Sequence, residues 1–267
     1  MRNAPWFALM LVLLPGSVAA QTACPANFAA GQPPRLTNPK LAAQTRELCF
    51  RAFAVLHSGL TRTPLWSAEH LTREAVQAAR SLGRVNAFHA EERLSAVQRA
   101  ELSDYTRSGF DRGHMAPSGD MPDEASQQES FSLANMVPQA PQLNRGIWEG
   151  IESAVRDLAA AEGEVYVLTG PIFQGSNLQA LKGRVLVPTE TYKAVYAPRR
   201  GWAGAYVCTN TEEPACRTVS IAQLQQETGI DVFPALPEAT KTALAPLPKP
   251  MPHGYGGRQT RERRRSG

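Results

Sequence analysis

A short run of polar residues has the types and spacing needed to hydrolyse a phosphate ester. Arg112 and His114 lie in the run Asp111-Arg112-Gly113-His114, within a segment rich in glycine and proline, and such loops often carry catalytic groups. A neutral imidazole can take a proton from water as the water attacks phosphorus. A guanidinium can pair with a phosphate oxygen. His114 is therefore the candidate general base, Arg112 the candidate phosphate contact, and Asp111 a structural partner of a nearby arginine or backbone group.

A second group of polar residues belongs to a predicted helix. Apolar residues recur at helical spacing from Asn144 to about Ala161, and Gly163 ends the run, which predicts a helix. Asn144 and Glu152 then lie along one edge, about 12 Å apart along the axis, too far for both to bind one ion directly. Glu152 leans back toward Asn144 and can hold a water on the same ion. A hard cation that keeps several waters is typical of Mg²⁺.

A base, a phosphate contact and a metal site together predict a metal-dependent phosphodiesterase. The formal net charge of +4 does not by itself identify a nucleic-acid partner, because the charge is concentrated at the C-terminus. Six basic residues and one acid follow Leu244, which is a net +5 and leaves about −1 for the rest of the chain. Any phosphate-binding surface on the main domain is therefore expected to be local.

The chain is predicted to divide into three segments. Residues 1–20 are typical of a cleaved signal peptide, because Arg2 precedes a short apolar run and Val18-Ala19-Ala20 supplies small residues. This predicts a secreted or periplasmic protein; a lipid anchor on Cys24 is the alternative. Residues 21–240 are predicted to form one α+β domain with an antiparallel sheet, since strands, an irregular insert, a helix and more strands follow one another. Residues 241–267, rich in proline and then arginine, are predicted to be disordered.

The four cysteines are expected to form disulfides if the protein is exported. Three pairings are possible. The least demanding joins Cys24 to Cys49 and Cys208 to Cys216, because the members of each pair are close in sequence. A zinc site is the alternative, but no pair has the C-x-x-C spacing that is typical of one.

The polar run and the helix are parts of a longer pattern that resembles a known family. From about residue 49 to 237, the chain resembles the DNA/RNA non-specific endonucleases, which are ββα-metal (His-Me finger) nucleases. The resemblance rests on Asp104-Tyr105, S-G-F-D-R-G-H-M-A-P at 108–117, N-M-V-P-Q at 135–139, L-N-R-G-I-W at 143–148 with Glu152, T-G-P-I-F at 169–173, V-P-T at 187–189 and Tyr192-Lys193.

This resemblance implies a fold and a role for each matching residue. The fold would be a central antiparallel sheet flanked by helices and long loops. His114 would be the general base, Arg112 would lie beside the scissile phosphate, and Asn144 would be the one direct protein ligand of Mg²⁺, with Mn²⁺ as an alternative. Three residues would orient the waters of the metal: Glu152, Asn135 and Gln139. A further phosphate-binding arginine is expected before the His114 loop, and Arg62 and Arg73 are the candidates.

The predicted function is that of an exported endonuclease that hydrolyses DNA and RNA without sequence specificity. The alternative from another class is a nucleic-acid-binding protein on an inactive nuclease scaffold, although the motif residues named above are all present. A small-molecule phosphodiesterase and a toxin-type nuclease with a dedicated partner are further possibilities. The resemblance also leaves open a homodimer. Trp148, on the helix with Asn144, is expected in the core rather than at the substrate.

Overall fold

The computed structural model describes residues 22–251. The predicted signal peptide and the arginine-rich end of the chain, residues 252–267, lie outside the described residues. The strands, in chain order, are β1 (Arg35–Leu36), β2 (Thr45–Cys49), β3 (Phe53–Ser58), β4 (Thr63–Thr72), β5 (Asp111–His114), β6 (Met136–Gln139), β7 (Glu164–Ile172), β8 (Ala180–Leu181), β9 (Val185–Leu186), β10 (Glu190–Ala197), β11 (Trp202–Thr209), β12 (Cys216–Val219) and β13 (Ile230–Asp231). The α-helices are α1 (Arg73–Arg80), α2 (Leu102–Tyr105), α3 (Glu124–Ser130), α4 (Glu149–Glu162), α5 (Ile221–Thr228) and α6 (Glu238–Thr242).

Seven strands form the main sheet, in the order β12-β11-β10-β7-β4-β3-β2. Every neighbouring pair in it is antiparallel, so the predicted α+β class with a central antiparallel sheet is confirmed. The central strands are buried along nearly their whole length, because both faces of the sheet are covered.

The two faces of the sheet pack against different helices. Trp66 and Ala194 face a core that includes Leu224 of α5. On the opposite face, Val167 and Val195 pack in a core that contains apolar residues of α4, among them Ile151 and Val155, together with Trp148. Since side chains alternate along a strand, the α4 face also receives the polar residues Ser67, Glu69, Thr169 and Lys193, all fully or almost fully buried.

The ββα unit that the resemblance implies is present. Strand β5 pairs antiparallel with β6, so that Asp111 lies opposite Gln139 and His114 opposite Met136. A π-helical turn, Leu143–Trp148, then leads into α4, and Gly146 leaves helical geometry at φ −113° and ψ −112°. The predicted helix from Asn144 to about Ala161 is therefore one π turn followed by α4.

The glycine-rich segment that contains β5 departs from the prediction. Its glycines and prolines predict a loop from Asp104 to Met121, but this segment contains β5 and the last two residues of the short helix α2. Glycines weaken a strand considered alone. Strand β5 forms because β6 supplies its hydrogen-bonding partner, and no local pattern shows that partner.

Both predicted disulfides are confirmed. Cys24 is bonded to Cys49, and Cys208 to Cys216 across the β11–β12 pair. Glu47 lies beside the first bridge. Within residues 22–251, Cys24, Glu47 and Cys49 form the one group of three or more His, Cys, Asp or Glu side chains whose ligand atoms converge. Because both sulfurs are in the disulfide, this group is not a thiolate zinc site.

The predicted disorder after residue 240 is wrong for residues 241–251. Lys241 is buried and its ammonium contacts both carboxylate oxygens of Asp231 at 2.8 and 2.9 Å. Ala245 is buried as well, and the Tyr206 hydroxyl donates to the Pro248 carbonyl. Proline-rich sequence has no helical or strand periodicity, yet it packs here because β11 offers an apolar surface. Among the described helices, none has the length and apolar character to cross a membrane.

Candidate active site

One cavity of about 450 Å³ brings together the main residues predicted from the sequence. Arg112 and His114 reach it from β5, Asn144 from the π turn, and Glu152 from the first turn of α4. These residues come from segments up to forty positions apart, and the ββα unit places them around one space.

His114 is held in an apolar corner of this cavity. Its imidazole meets Phe131 edge to face at 4.9 Å and Phe88 at 5.7 Å between ring centres. Nε2 is buried and has no hydrogen-bond partner among the described residues. Burial lowers the pKa of His114 to about 3, and the positive charges of Arg84 and Arg112 act in the same direction. The imidazole is therefore neutral at physiological pH.

Arg112 and Arg84 supply the positive charge next to the imidazole. The Arg112 guanidinium lies over the Phe88 ring, 4.1 Å from its centre, and Arg84 lies over Phe131 at 5.4 Å. Both arginines line the cavity. Arg84 was not among the residues predicted from the sequence, although it is an arginine before the His114 loop.

The two arginines that were predicted for this second position lie elsewhere. Arg62 donates to the carbonyls of Val97 and Arg184, and Arg73 donates to those of Ala160 and Ala161 near the end of α4. Neither of the two lines the cavity. Their guanidinium groups are used to tie backbone segments together, so the prediction of Arg62 or Arg73 is wrong.

The side-chain amide of Asn144 is oriented by the carboxylate of Asp111. Its Nδ2 donates to Asp111 Oδ2 at 3.0 Å, and Arg145 Nε donates to the same oxygen at 2.8 Å. The predicted structural role of Asp111 thus agrees with its contacts. No described residue donates a hydrogen bond to Asn144 Oδ1, which leaves this oxygen as the end of the amide available to a ligand. Asn144 lies inside the π turn, while Gln142 is the residue that precedes the turn.

Glu152 is half-buried at the cavity wall, beside a cluster of charged residues. Burial raises its pKa to about 7, while Lys193 and Arg156 oppose this shift. Arg156 Nη1 in turn contacts Asp120 Oδ1 at 2.7 Å. Fully buried Glu69 completes the cluster, and its pKa is also raised, first by burial and then by Asp120. A cation in the cavity would favour the ionised form of Glu152.

Asn135 does not reach the cavity. Its Oδ1 accepts from Ser67 Oγ and from the Ala116 backbone, and its Nδ2 donates to the carbonyls of Ala116 and Ser130. These four bonds use the full hydrogen-bonding capacity of the amide. The predicted role of orienting metal-bound water does not fit these contacts. Asn135 instead fixes the backbone two residues beyond His114.

Gln139 is also directed away from the cavity. Its side chain is completely buried and lies across Gly113, where an added Cβ would come within 2.2 Å of Gln139 Oε1. The amide has no hydrogen-bond partner among the described residues. The Gln139 side chain on β6 thus occupies the space that is open because Gly113 on β5 has no Cβ. This position does not bring Gln139 to a metal at Asn144.

Arg156 is a second cavity residue that was missed in the sequence. It lies four residues after Glu152, a spacing that places two side chains on the same helix face. This spacing is the signal that could have found it. The sequence indicates Arg84 more weakly. Its one link to the site is that it lies four positions before the aromatic residue Phe88.

The donor set of the cavity fits a hydrated divalent cation. It offers the amide oxygen of Asn144 and the carboxylate of Glu152, which are hard oxygen donors of the kind that Mg²⁺ and Mn²⁺ accept. With one direct protein ligand, such an ion would keep most of its waters.

Comparison with known proteins identifies the family. Residues 32–239 match the family model described as DNA/RNA non-specific endonuclease. The chain belongs to this family. It is therefore a hydrolase that acts on nucleic acids, and the family is one of nucleases that depend on a divalent metal.

Individual relatives agree with this assignment. Nuclease C1 of Cunninghamella echinulata var. echinulata is 31% identical over 71% of this chain and 83% of its own length. Mitochondrial endonuclease G of Bos taurus is 30% identical over 75% of this chain and 71% of its own length. The crystal structure of the EndoG/EndoGI complex, which describes the mechanism of EndoG inhibition, superposes with a TM-score of 0.61 at 27% identity. The superposed residues cover 69% of this chain and 84% of the chain in that crystal structure.

The comparisons also correct the predicted location. Several relatives are mitochondrial by name, among them bovine endonuclease G, EXOG of Danio rerio and the mitochondrial nuclease of Saccharomyces cerevisiae. These relatives point to mitochondria, so the prediction of a secreted or periplasmic protein is contradicted. A charged residue followed by a short apolar run was insufficient to establish export.

Proposed function

We propose that this chain is a Mg²⁺-dependent endonuclease that cuts DNA and RNA without sequence specificity, with His114 as the general base. One observation carries the proposal. His114 and Arg112 line the same cavity as Asn144, whose Nδ2 is held by Asp111 so that Oδ1 stays available. The residues proposed as base, phosphate contact and metal ligand thus line one space.

In the proposed reaction, His114 takes a proton from a water molecule as that water attacks phosphorus. A new P–O bond forms, the bond to the 3′-oxygen breaks, and the leaving oxygen takes up a proton from solvent, so the products end in 5′-phosphate and 3′-hydroxyl groups. Arg112 and Arg84 pair with the non-bridging oxygens of the phosphate. Asn144, directly, and Glu152, through water, would hold a divalent cation, which would offset charge on the phosphate and the departing oxygen.

The low pKa of His114 is compatible with this role. In the free protein, burial and two guanidinium groups keep the imidazole neutral. A bound phosphate brings negative charge to the same place and pairs with both arginines. The phosphate therefore raises the pKa of His114, and the imidazole becomes a stronger base when the substrate is present.

The chemistry of the cavity supports the proposal that one site acts on both DNA and RNA. The groups assigned to the reaction are a base, arginines and a hydrated cation, all of which address phosphate. Phosphate contacts carry no sequence information, so cutting is expected at any base.

A homodimer remains a prediction, which light scattering of the purified protein tests.

The deciding experiment incubates plasmid DNA and a folded RNA with Mg²⁺ and the purified chain, His114→Ala or Asn144→Ala. The wild type should cut both substrates, and His114→Ala should lose about 10²- to 10⁴-fold in rate. Asn144→Ala should need more Mg²⁺. Equal rates for wild type and His114→Ala would remove His114 from its assigned role. Binding of DNA without cutting in Mg²⁺ and in Mn²⁺ would favour the inactive scaffold.

A further inference from the structure

Two phenylalanines link the candidate base to both arginines. Arg112 lies over Phe88, Arg84 lies over Phe131, and the two rings meet edge to face with centres 4.8 Å apart. His114 contacts both rings. We refer to Phe88 and Phe131 as the aromatic pair.

Arg112 depends on this pair for its orientation. Among the described residues, it makes no ion pair with a carboxylate and donates no hydrogen bond, so its contact with Phe88 is what fixes the guanidinium plane. Arg84 has one hydrogen bond, from Nε to Asn86 Oδ1 at 3.0 Å. Stacking on a ring orients an arginine without using its N–H groups. The donors of Arg112 therefore stay available for a phosphate.

The backbone holds the aromatic pair as one unit. Phe88 belongs to the segment between α1 and α2, and Phe131 follows α3 directly. The amide of His89 donates to the Phe131 carbonyl at 3.3 Å, and the amide of Leu133 donates to the His89 carbonyl at 2.9 Å. A parallel bridge between His89 and Ser132 joins the two segments at this point. Phe131 thus takes part in this backbone link itself, and Phe88 lies one residue from it.

We propose that Phe88 and Phe131 are positioning residues, which hold the His114 imidazole and the guanidinium groups of Arg112 and Arg84 in one fixed arrangement around the phosphate. This inference rests on the proposed function. Two arginines and an imidazole that becomes charged repel one another. The ring faces of the aromatic pair attract both guanidinium groups and so hold them in place against this repulsion.

Phe88 is the residue to vary, because it is partly exposed, whereas Phe131 is completely buried and its truncation would unfold part of the core. Phe88→Leu removes the ring, and Phe88→Tyr keeps it. The matched control is Phe50→Leu, because Arg93 lies over Phe50 at 4.3 Å in the same manner but outside the cavity. Duplex DNA cleavage at saturating Mg²⁺ gives kcat and KM, and thermal unfolding reports the fold.

Phe88→Leu should lower kcat about 10- to 100-fold, because a small misplacement of reacting groups is costly. Phe88→Tyr should stay within about threefold of wild type, since the cation–π contact persists. The Mg²⁺ concentration for half-maximal rate should not change in either variant. Phe50→Leu should keep full activity. A Phe88→Leu enzyme as active as Phe50→Leu would overturn the proposal.

A double-mutant cycle separates positioning from a general structural effect. If Phe88 acts through Arg112, then Phe88→Leu should cost less in an Arg112→Ala background, by at least about threefold. Losses that simply multiply would show that Phe88 acts independently of Arg112, for example by stacking on a base of the substrate, and would overturn the proposal. His114→Ala, measured alongside, tests the proposed function separately: if it retains activity, the base assignment fails whatever the cycle shows.

Discussion

Asp111 fixes which end of the Asn144 amide is available to a ligand. Asp111 Oδ2 accepts a hydrogen bond from Asn144 Nδ2 at 3.0 Å and a second one from Arg145 Nε at 2.8 Å. Asp111 lies on β5 and Asn144 in the π turn before α4. One carboxylate thus joins the strand that carries the candidate base to the helix that carries the candidate metal ligand.

Removal of this carboxylate should weaken metal binding. In Asp111→Ala, the Asn144 amide loses the acceptor for Nδ2 and can rotate, so the Mg²⁺ concentration for half-maximal cleavage should rise about 10- to 100-fold. Asp157→Ala is the control, because Asp157 forms an exposed ion pair with Arg80 outside the cavity. An unchanged Mg²⁺ requirement in Asp111→Ala would show that Asn144 needs no such restraint.

The His114 imidazole should remain neutral at pH values far below the usual pKa of a histidine. Its pKa of about 3 means that NMR of the metal-free protein should show no protonation of this ring between pH 8 and roughly pH 5. Arg84→Ala removes one of the cations that lower the pKa, so its imidazole should take up a proton at higher pH. A normal titration of His114 near pH 6.5 in the wild type would contradict the buried environment.

The same shift affects stability. The unfolded chain protonates this histidine near pH 6.5, whereas the folded chain does so only near pH 3. The unfolded state therefore binds more protons in that window, and the free energy of unfolding falls as the pH decreases through it. His114→Asn removes this contribution, so its chemical denaturation midpoint should decrease less between pH 6.5 and pH 4. Parallel curves for the two proteins would argue against the shift.

Arg84 and Arg73 should differ sharply when each is replaced by alanine. Arg84 faces the cavity, and loss of a charge-assisted phosphate contact should reduce kcat/KM about 10- to 100-fold. DNA binding in EDTA should also become less dependent on salt, with a slope smaller by about 0.9. Arg73→Ala should leave the slope unchanged and lower the unfolding temperature, because Arg73 caps carbonyls near the end of α4. Equal salt slopes for Arg84→Ala and wild type would exclude Arg84 as a phosphate contact.

Two asparagines of the family motifs should give opposite results. Asn135→Ala leaves polar partners at Ser67, Ala116 and Ser130 without their bonds, which should lower the free energy of unfolding by about 1–3 kcal/mol. Its Mg²⁺ requirement should not change. Asn144→Ala should instead raise the Mg²⁺ requirement and leave stability close to wild type. A raised Mg²⁺ requirement in Asn135→Ala would restore the role that the sequence assigned to this residue.

The sequence predicted the parts of the site that lie on a regular pattern. Helical spacing identified the segment that carries Asn144 and Glu152, and the motif around His114 identified Arg112. The roles predicted from the sequence were wrong for Asn135 and Gln139. A motif shows that a residue is needed but does not show which way its side chain points. Asn135 is turned to the sheet by Ser67, and Gln139 is drawn over Gly113.

The sequence by itself determined the family, the α+β class, both disulfides and four of the residues that line the cavity, because these depend on residue type, spacing and proximity along the chain. Only the tertiary structure decided which arginine joins Arg112, how Asn144 is oriented and that residues 241–251 pack on the domain. These properties depend on contacts between distant segments: Arg84 with Phe131, Asn144 with Asp111, and Pro248 with Tyr206. Such contacts form only when the sheet and the ββα unit have brought those segments together.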